Sequence, residues 1–173
     1  MPPETPPDRR AWMRALLDEF EGRLVRYATG LLGGDADKAR DAVQDTFLRL
    51  CAQDPGTVRG HEAAWLFHVC RNRCLDLNKK EGRMTELSEV DMERRASADP
   101  PPALLAELNE AARRVLSLLG GLPARQREVV RLKFQEGLSY KEIARITELT
   151  EGNVGMVLHT ALKSLRTQLQ LQA

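Results

Sequence analysis

The sequence predicts an all-α protein of two small helical domains joined by a flexible acidic linker. Three observations carry this reading. Apolar residues recur at steps of three or four along the long segments, which is the helical period. Strand-type alternation is absent. Residues 84–102 change character: apolar residues are few and aperiodic, the charge is −3, and the stretch ends in Pro100-Pro101-Pro102. That is the composition of a linker. A length of 173 residues with 42% hydrophobic content suffices for one domain or two small ones.

Each element follows in order. Residues 1–7, Met1-Pro2-Pro3-Glu4-Thr5-Pro6-Pro7, read as a disordered tail. A first helix over 8–32 aligns Trp12, Leu16, Phe20, Leu24, Tyr27 and Leu31. Gly33-Gly34 ends it, and Asp35 is placed to cap the next. The second helix, 35–53, has Ala39, Val43, Phe47 and Leu50 as its apolar side. Asp54-Pro55-Gly56 stops it, and a short loop leads to Gly60. The third, 61–83, places Ala63, Leu66, Cys70, Cys74 and Leu77 on one face. Residues 8–83 thus form one domain and 103–173 another. The second has helices over 103–119, 123–136, 139–147 and 150–170. Breaks at Gly120-Gly121-Leu122-Pro123, Gly137 and Glu148-Leu149 separate them.

Several function classes are excluded at this level. No run of about 18 apolar residues is present, so no membrane insertion is expected. The N-terminus has no apolar signal core. Three cysteines, an odd number, argue against a disulfide framework and for a reducing cytoplasm. No dinucleotide, Walker, zinc-protease or nucleophile-elbow motif occurs, so no catalytic residues, cofactor or small-molecule substrate are expected and the chain does not read as an enzyme. Cys70 and Cys74 lie four apart with His68 nearby. A metal site is conceivable, but the cysteines lie mid-core on the helical wheel and His68 points away. They read as packing residues, with no metal.

The net charge of +1 hides a distribution. Residues 1–58 carry −2, residues 59–83 carry +3, the linker −3 and residues 103–173 +3. The third helix contributes a stripe of Trp65, His68, Asn72, Asp76, Lys79 and Arg83, flanked by Arg71, Arg73 and Lys80. Such a face can serve single-stranded DNA, since rings stack on bases, amides read base edges and cations meet phosphates. The same pattern also fits a solvated helix face with one partly buried tryptophan. On the second helix, Asp41, Gln44, Asp45 and Leu48 fall on or near the outside. That row suits docking on a basic helical partner, or is an ordinary acidic face.

Near the C-terminus, Ser139 and Glu142 have capping-box spacing ahead of a short helix. Ala144 allows a close crossing. Thr150 caps a long helix whose buried stripe is Val154, Leu158, Ala161, Leu165 and Leu169. This is helix-turn-helix spacing, in which the second helix enters the major groove. A hairpin used only for packing would share the pattern.

These pieces, in this order, resemble a bacterial RNA polymerase sigma factor of the sigma-70 family, extracytoplasmic-function (ECF) group. Asp41-Ala42-Val43-Gln44-Asp45-Thr46-Phe47-Leu48-Arg49 is similar to the family's polymerase-clamp helix. Trp65-Leu66-Phe67-His68-Val69-Cys70-Arg71-Asn72, then Cys74-Leu75-Asp76-Leu77, is similar to its promoter −10 helix. Leu122-Pro123-Ala124-Arg125-Gln126-Arg127-Glu128-Val129-Val130, then Leu138-Ser139-Tyr140-Lys141-Glu142-Ile143-Ala144, is similar to its −35 domain.

The resemblance implies a sigma region 2 bundle of three-helix type and a sigma region 4 helix-turn-helix bundle. It implies that Asp41, Gln44, Asp45 and Leu48 grip the β′ clamp helices of core RNA polymerase, whose β subunit is a further contact. Asn72 with the Asp54–Gly60 loop would hold a base flipped from the −10 element, at a stacking cost of a few kcal/mol. Trp65, Arg71, Arg73, Asp76, Lys79, Lys80 and Arg83 complete the −10 surface. The linker would pass through the RNA exit channel. The −35 element would meet Thr150, Gly152, Asn153, Met156, His159, Thr160 and Lys163, with Arg125, Arg127 and Lys141 on the DNA backbone. An anti-sigma factor is the expected regulator.

The sequence departs from the family in two places. Its recognition helix has Gly155, Val157, Thr160 and Leu162 where arginines are usual, and Glu148 replaces the turn glycine. The arginine-poor helix motivates an alternative, a sigma mimic that titrates an anti-sigma factor without binding DNA. Such mimics attach a phospho-receiver domain, for which 173 residues leave no room. An autonomous helix-turn-helix regulator leaves the first 83 residues unexplained.

Overall fold

The computed structural model describes residues 6–81 and 109–172, and their regular elements are all helical. The chain divides into two compact units, Met1–Glu81 and Gly82–Ala173. No described helix is long and apolar enough to cross a membrane.

The first unit packs three helices pairwise: α1 (Pro6–Leu31), α2 (Ala36–Ala52) and α3 (Glu62–Glu81). Helix α1 begins at Pro6, inside the segment expected to be a disordered tail. Proline is tolerated there because the first-turn N–H groups have no intrahelical partner anyway. Gly33 and Gly34, at φ 67° and 89°, reverse the chain after α1. Asp35 then caps α2 as expected, its Oδ1 accepting the Lys38 N–H at 3.1 Å. The loop before α3 contains a single 3₁₀ turn, Pro55–Thr57.

The core of this unit is built on Leu24, Ala39, Leu50, Leu66 and Phe67, all fully buried. Phe67 meets Phe20 and Tyr27 edge-on, with ring centroids 6.4 and 5.2 Å apart. Each such pair adds about 0.5–1.5 kcal/mol beyond area burial. Cys70 and Cys74 are fully buried among these residues and form no disulfide. The buried face of α3 is wider than its sequence stripe suggested. Ala64, Phe67 and Arg71 are buried beside Leu66, Cys70 and Cys74, while Ala63 and Leu77 are only half-buried. A helix wedged against two neighbours needs a broad arc, not one line.

The second unit comprises α4 (Glu110–Gly120), α5 (Ala124–Val130), α6 (Tyr140–Thr147) and α7 (Glu151–Leu171). The expected start of α4 near residue 103 lies outside the described residues. The helix expected over 123–136 is regular only to Val130. It widens into a π-type turn over Arg131–Gln135, closed by the Glu136 N–H on Arg131 O at 3.1 Å. The buried stripe of α7 is shorter than expected. Val154, Leu158 and Ala161 are buried, but Leu165 is half-buried and Leu169 is 44% exposed. A 21-residue helix outruns the 7- and 8-residue helices that pack on it.

Candidate polymerase and promoter interfaces

The outer face of α2 carries Asp41, Gln44 and Leu48, all exposed, with Leu48 at 62%. Asp45 is half-buried instead. Its Oδ2 lies 3.3 Å from Arg49 Nε one turn on and 3.3 Å from Arg73 Nε on α3. Beside this row, α1 and α2 enclose a groove of about 410 Å³ lined by Met13, Leu17, Val25, Phe47 and Leu48, with Glu21 and Arg40 at its rim. Sequence reading missed the α1 side of this groove. The signal was present as a second apolar stripe, Met13, Leu17 and Val25, at multiples of four beside the core stripe.

Helix α3 presents Trp65, His68 and Asn72 half-buried and Asp76, Lys79 and Lys80 exposed. Asn72 Nδ2 and His68 Nε2 are 3.2 Å apart, so the amide is already oriented by a neighbour one turn back. The end of α3 is fixed to the α1–α2 turn. Asn78 Nδ2 donates to Leu31 O at 3.0 Å, and Lys38 pairs with both Glu81 and Asp35. The Lys38 N–H and ammonium together hold the Asp35 carboxyl below the usual aspartate range.

Two cations of the expected −10 surface are placed differently. Arg71 is 8% exposed, on the Phe67 side of α3 rather than the outer stripe. The cause is the broad arc described above, since residue 71 is one turn on from buried Phe67. Arg73 faces Asp45. Arg83 lies outside the described residues, as does the acidic linker.

The loop ahead of α3 is tightly built. Asp54 Oδ1 accepts the Gly56 N–H at 3.1 Å, and Thr57 Oγ1 donates to Asp54 O at 2.7 Å. Pro55 and Val58 are buried beneath it, while Asp54, Gly56, Thr57 and Gly60 are exposed.

In the second unit the helix-turn-helix is formed by α6 and α7. The capping box is complete: Glu142 N–H donates to Ser139 Oγ at 3.2 Å and Ser139 N–H to Glu142 Oε2 at 2.7 Å. Glu148 occupies the turn at φ 59°, the left-handed region that glycine fills without a Cβ clash. Gly155 faces Tyr140 where the helices cross, and a Cβ there would sit at an ordinary contact distance of 3.6 Å from Tyr140 Cε2. Thr150 Oγ1 accepts the Asn153 N–H at 3.1 Å and starts α7. The outer face of α7 exposes Gly152, Asn153, Met156, His159, Thr160 and Lys163 together, with Met156 at 68%.

Arg125 and Lys141 are exposed, but Arg127 is not available to DNA. It is 4% exposed, and its guanidinium donates to Leu119 O, Gly120 O and Leu122 O at 3.1, 3.2 and 2.7 Å. It neutralises the carbonyl-rich end of α4. Burial and the Arg127 charge together lower neighbouring Arg131 from the ordinary arginine value.

Comparison with known proteins agrees with this division. Residues 16–84 match the family described as Sigma-70 region 2, and residues 112–165 match Sigma-70, region 4. The ECF RNA polymerase sigma factor SigL of Mycobacterium tuberculosis is 38% identical over 165 residues, covering 92% of this chain and 90% of that protein. SigE of Mycolicibacterium smegmatis, another ECF sigma factor, is 31% identical over 159 residues, 89% of this chain and 60% of its own. Among solved structures, the sigma factor RpoE of Bartonella quintana, crystallised with the anti-sigma factor NepR, is similar at a TM-score of 0.67 and 25% identity, covering 96% of this chain and 99% of that one. The chain belongs to the sigma-70 family of RNA polymerase sigma factors, in the extracytoplasmic-function (ECF) group.

Proposed function

We propose that this chain is a working initiation factor that binds core RNA polymerase and directs it to promoters with its own −10 and −35 sequences. The observation that carries the reading is the likeness to an ECF sigma factor across both regions, 92% of the chain. Both outer faces also retain side chains suited to nucleic acid. The polymerase β′ clamp helices would dock on Asp41, Gln44 and Leu48 and on the exposed third of the Asp45 side chain, with the Met13–Leu17–Val25 groove beside them. Asn72 and the Asp54–Gly60 loop would hold the flipped −10 base, with Trp65, Asp76, Lys79 and Lys80 near the melted strand. The exposed face of α7 would read the −35 element from Thr150 to Lys163, with Arg125 and Lys141 on phosphates. An anti-sigma factor is the proposed regulator, as RpoE was crystallised with one.

The test is reconstitution. The purified chain with core polymerase and genomic template fragments should yield transcripts whose start sites share an upstream motif. Polymerase binding without promoter-specific starts would instead favour the mimic reading, which the arginine-poor α7 face motivates.

A further inference from the structure

The first two turns of α1 are tied to the loop that follows α2. Arg9 Nη2 donates to Cys51 O at 2.5 Å and to Gln53 O at 3.1 Å, bridging the carbonyls at the end of α2. Asp8 Oδ2 accepts Arg59 Nη2 at 3.3 Å. The Arg59 guanidinium carbon lies 5.4 Å from the centre of the Trp12 ring. One turn of α1 therefore holds both ends of the 53–59 loop, Arg9 at its entry and Asp8 with Trp12 at its exit.

These contacts complete a scaffold that the loop only half supplies. Internally it has the Asp54 turn and the buried Pro55 and Val58. Those bonds shape the tip, and the Gly60 N–H donating to Glu62 Oε2 at 3.1 Å ties the loop's exit to the first residue of α3, while the α1 contacts brace its entry and its outer side. A pocket that discriminates among bases needs its contacts held within a fraction of an ångström by neighbouring elements. A loop free to shift would pay ordering entropy on each capture and accept several bases alike.

We infer that Asp8, Arg9 and Trp12 are positioning residues for the base-selecting loop, so the start of α1 tunes which −10 base is accepted. This rests on the proposed promoter function, in which residues 54–60 hold the flipped base. Arg9 lies outside the base-holding loop, and Arg59 is the loop residue through which α1 holds it. They set the loop's place, and Arg59 does so through the carboxylate and the indole together.

The experiment uses the full chain with core polymerase on templates whose −10 element is randomised, and sequences the transcripts. The wild type should enrich particular bases at each position, and no enrichment with the wild type would overturn the promoter reading itself. Arg9→Ala and Arg59→Ala should flatten the preference at one −10 position by about threefold or more, part of the discrimination typical of a single base pair. The other positions should keep theirs. Arg59→Lys, which keeps the charge over Trp12 and against Asp8, should recover most of the lost preference. Asp8→Asn is the milder variant should either alanine variant fail to fold, and it should flatten the same position. Unchanged preference in the folded variants, or an equal loss at every position, would overturn the inference and leave these contacts a merely structural role.

Discussion

Asp45 on α2 and Arg73 on α3 form an ion pair, with Arg73 Nε 3.3 Å from Asp45 Oδ2 and both side chains largely shielded, at 28% and 34% exposure. The pair joins the helix proposed to meet polymerase to the helix proposed to meet the −10 element. Arg49 shares the same carboxylate oxygen. Asp45 therefore braces two helices and orients its neighbours on α2. Arg73 is held at α2 rather than extended toward a DNA backbone.

Reversing Asp45 separates these roles. Asp45→Arg places three cations together and should destabilise the first unit by about 1 kcal/mol, the upper range for a partly exposed pair. The swap Asp45→Arg with Arg73→Asp should restore most of that stability in thermal melts. Polymerase affinity should stay low in the swap, because the outward charge has changed sign. Full recovery of affinity would reduce Asp45 to a bracing role.

Arg127 gives a second separation of structure from DNA contact. Replacing it with alanine removes the guanidinium from the Leu119, Gly120 and Leu122 carbonyls, of which Leu119 O still accepts the Leu122 N–H at 3.1 Å. The second unit should lose about 2–3 kcal/mol, as expected when hydrogen bonds from a charged group are removed. Denaturant unfolding would measure it. Affinity for −35 DNA, corrected for the folded fraction, should be unchanged.

Glu148 predicts a gain. A non-glycine residue at φ 59° carries a backbone penalty that glycine avoids. The Leu149 N–H bond to Ala144 O at 3.1 Å depends on that conformation and survives the change. Glu148→Gly should stabilise the second unit by roughly 0.5–1 kcal/mol, with part of the benefit offset by glycine's unfolded-state entropy. An unchanged or lower midpoint in unfolding would mean the Glu148 side chain makes a compensating contribution.

Asp35 links the first unit to pH. Its carboxyl titrates below the ordinary value in the folded chain because it accepts the Lys38 N–H and faces the Lys38 ammonium. A depressed carboxylate contributes stability that is present above the unfolded value, about 3.9, and lost as pH falls through the folded one. Asp35→Asn keeps a capping oxygen but removes the charge. The melting temperature of the wild type should exceed that of the variant at neutral pH, and the two curves should converge as acid protonates the folded-state carboxyl, below the ordinary aspartate range. A difference constant with pH would exclude the charge as its source.

The sequence made some of this legible and hid the rest for identifiable reasons. Ala39, Val43, Phe47 and Leu50 read correctly as the core face of α2 because helical period alone places them. The capping box at Ser139 and Glu142 was readable because both partners are local. Arg71 and Arg127 were not, since an arginine can bury its long apolar stem against neighbours that only the fold brings near, and Arg127 also spends its guanidinium on three backbone carbonyls. Arg73 was misplaced for the same reason: Asp45 is 28 residues away in sequence and one helix away in space. The ties from Arg9 to Cys51 and Gln53 span more than forty residues and leave no periodic trace.

The exposed face of α7 predicts how −35 binding responds to salt. Affinity for duplex DNA falls with salt by a slope of about −0.9 per phosphate neutralised. Of the side chains proposed to face −35 DNA, the exposed cations are Arg125, Lys141 and Lys163. Their combined contribution to the log–log slope of holoenzyme binding should therefore be about −3. Lys163→Ala should make the measured slope shallower by about 1, and changing all three should remove the −35 share. Met156→Ala should weaken binding without altering the slope, because an apolar side chain meets base edges and not phosphates. A slope insensitive to Lys163 would mean that α7 does not lie along the DNA backbone at its middle turns. It would move the reading of the −35 element to the backbone amides at the Thr150 end of the helix.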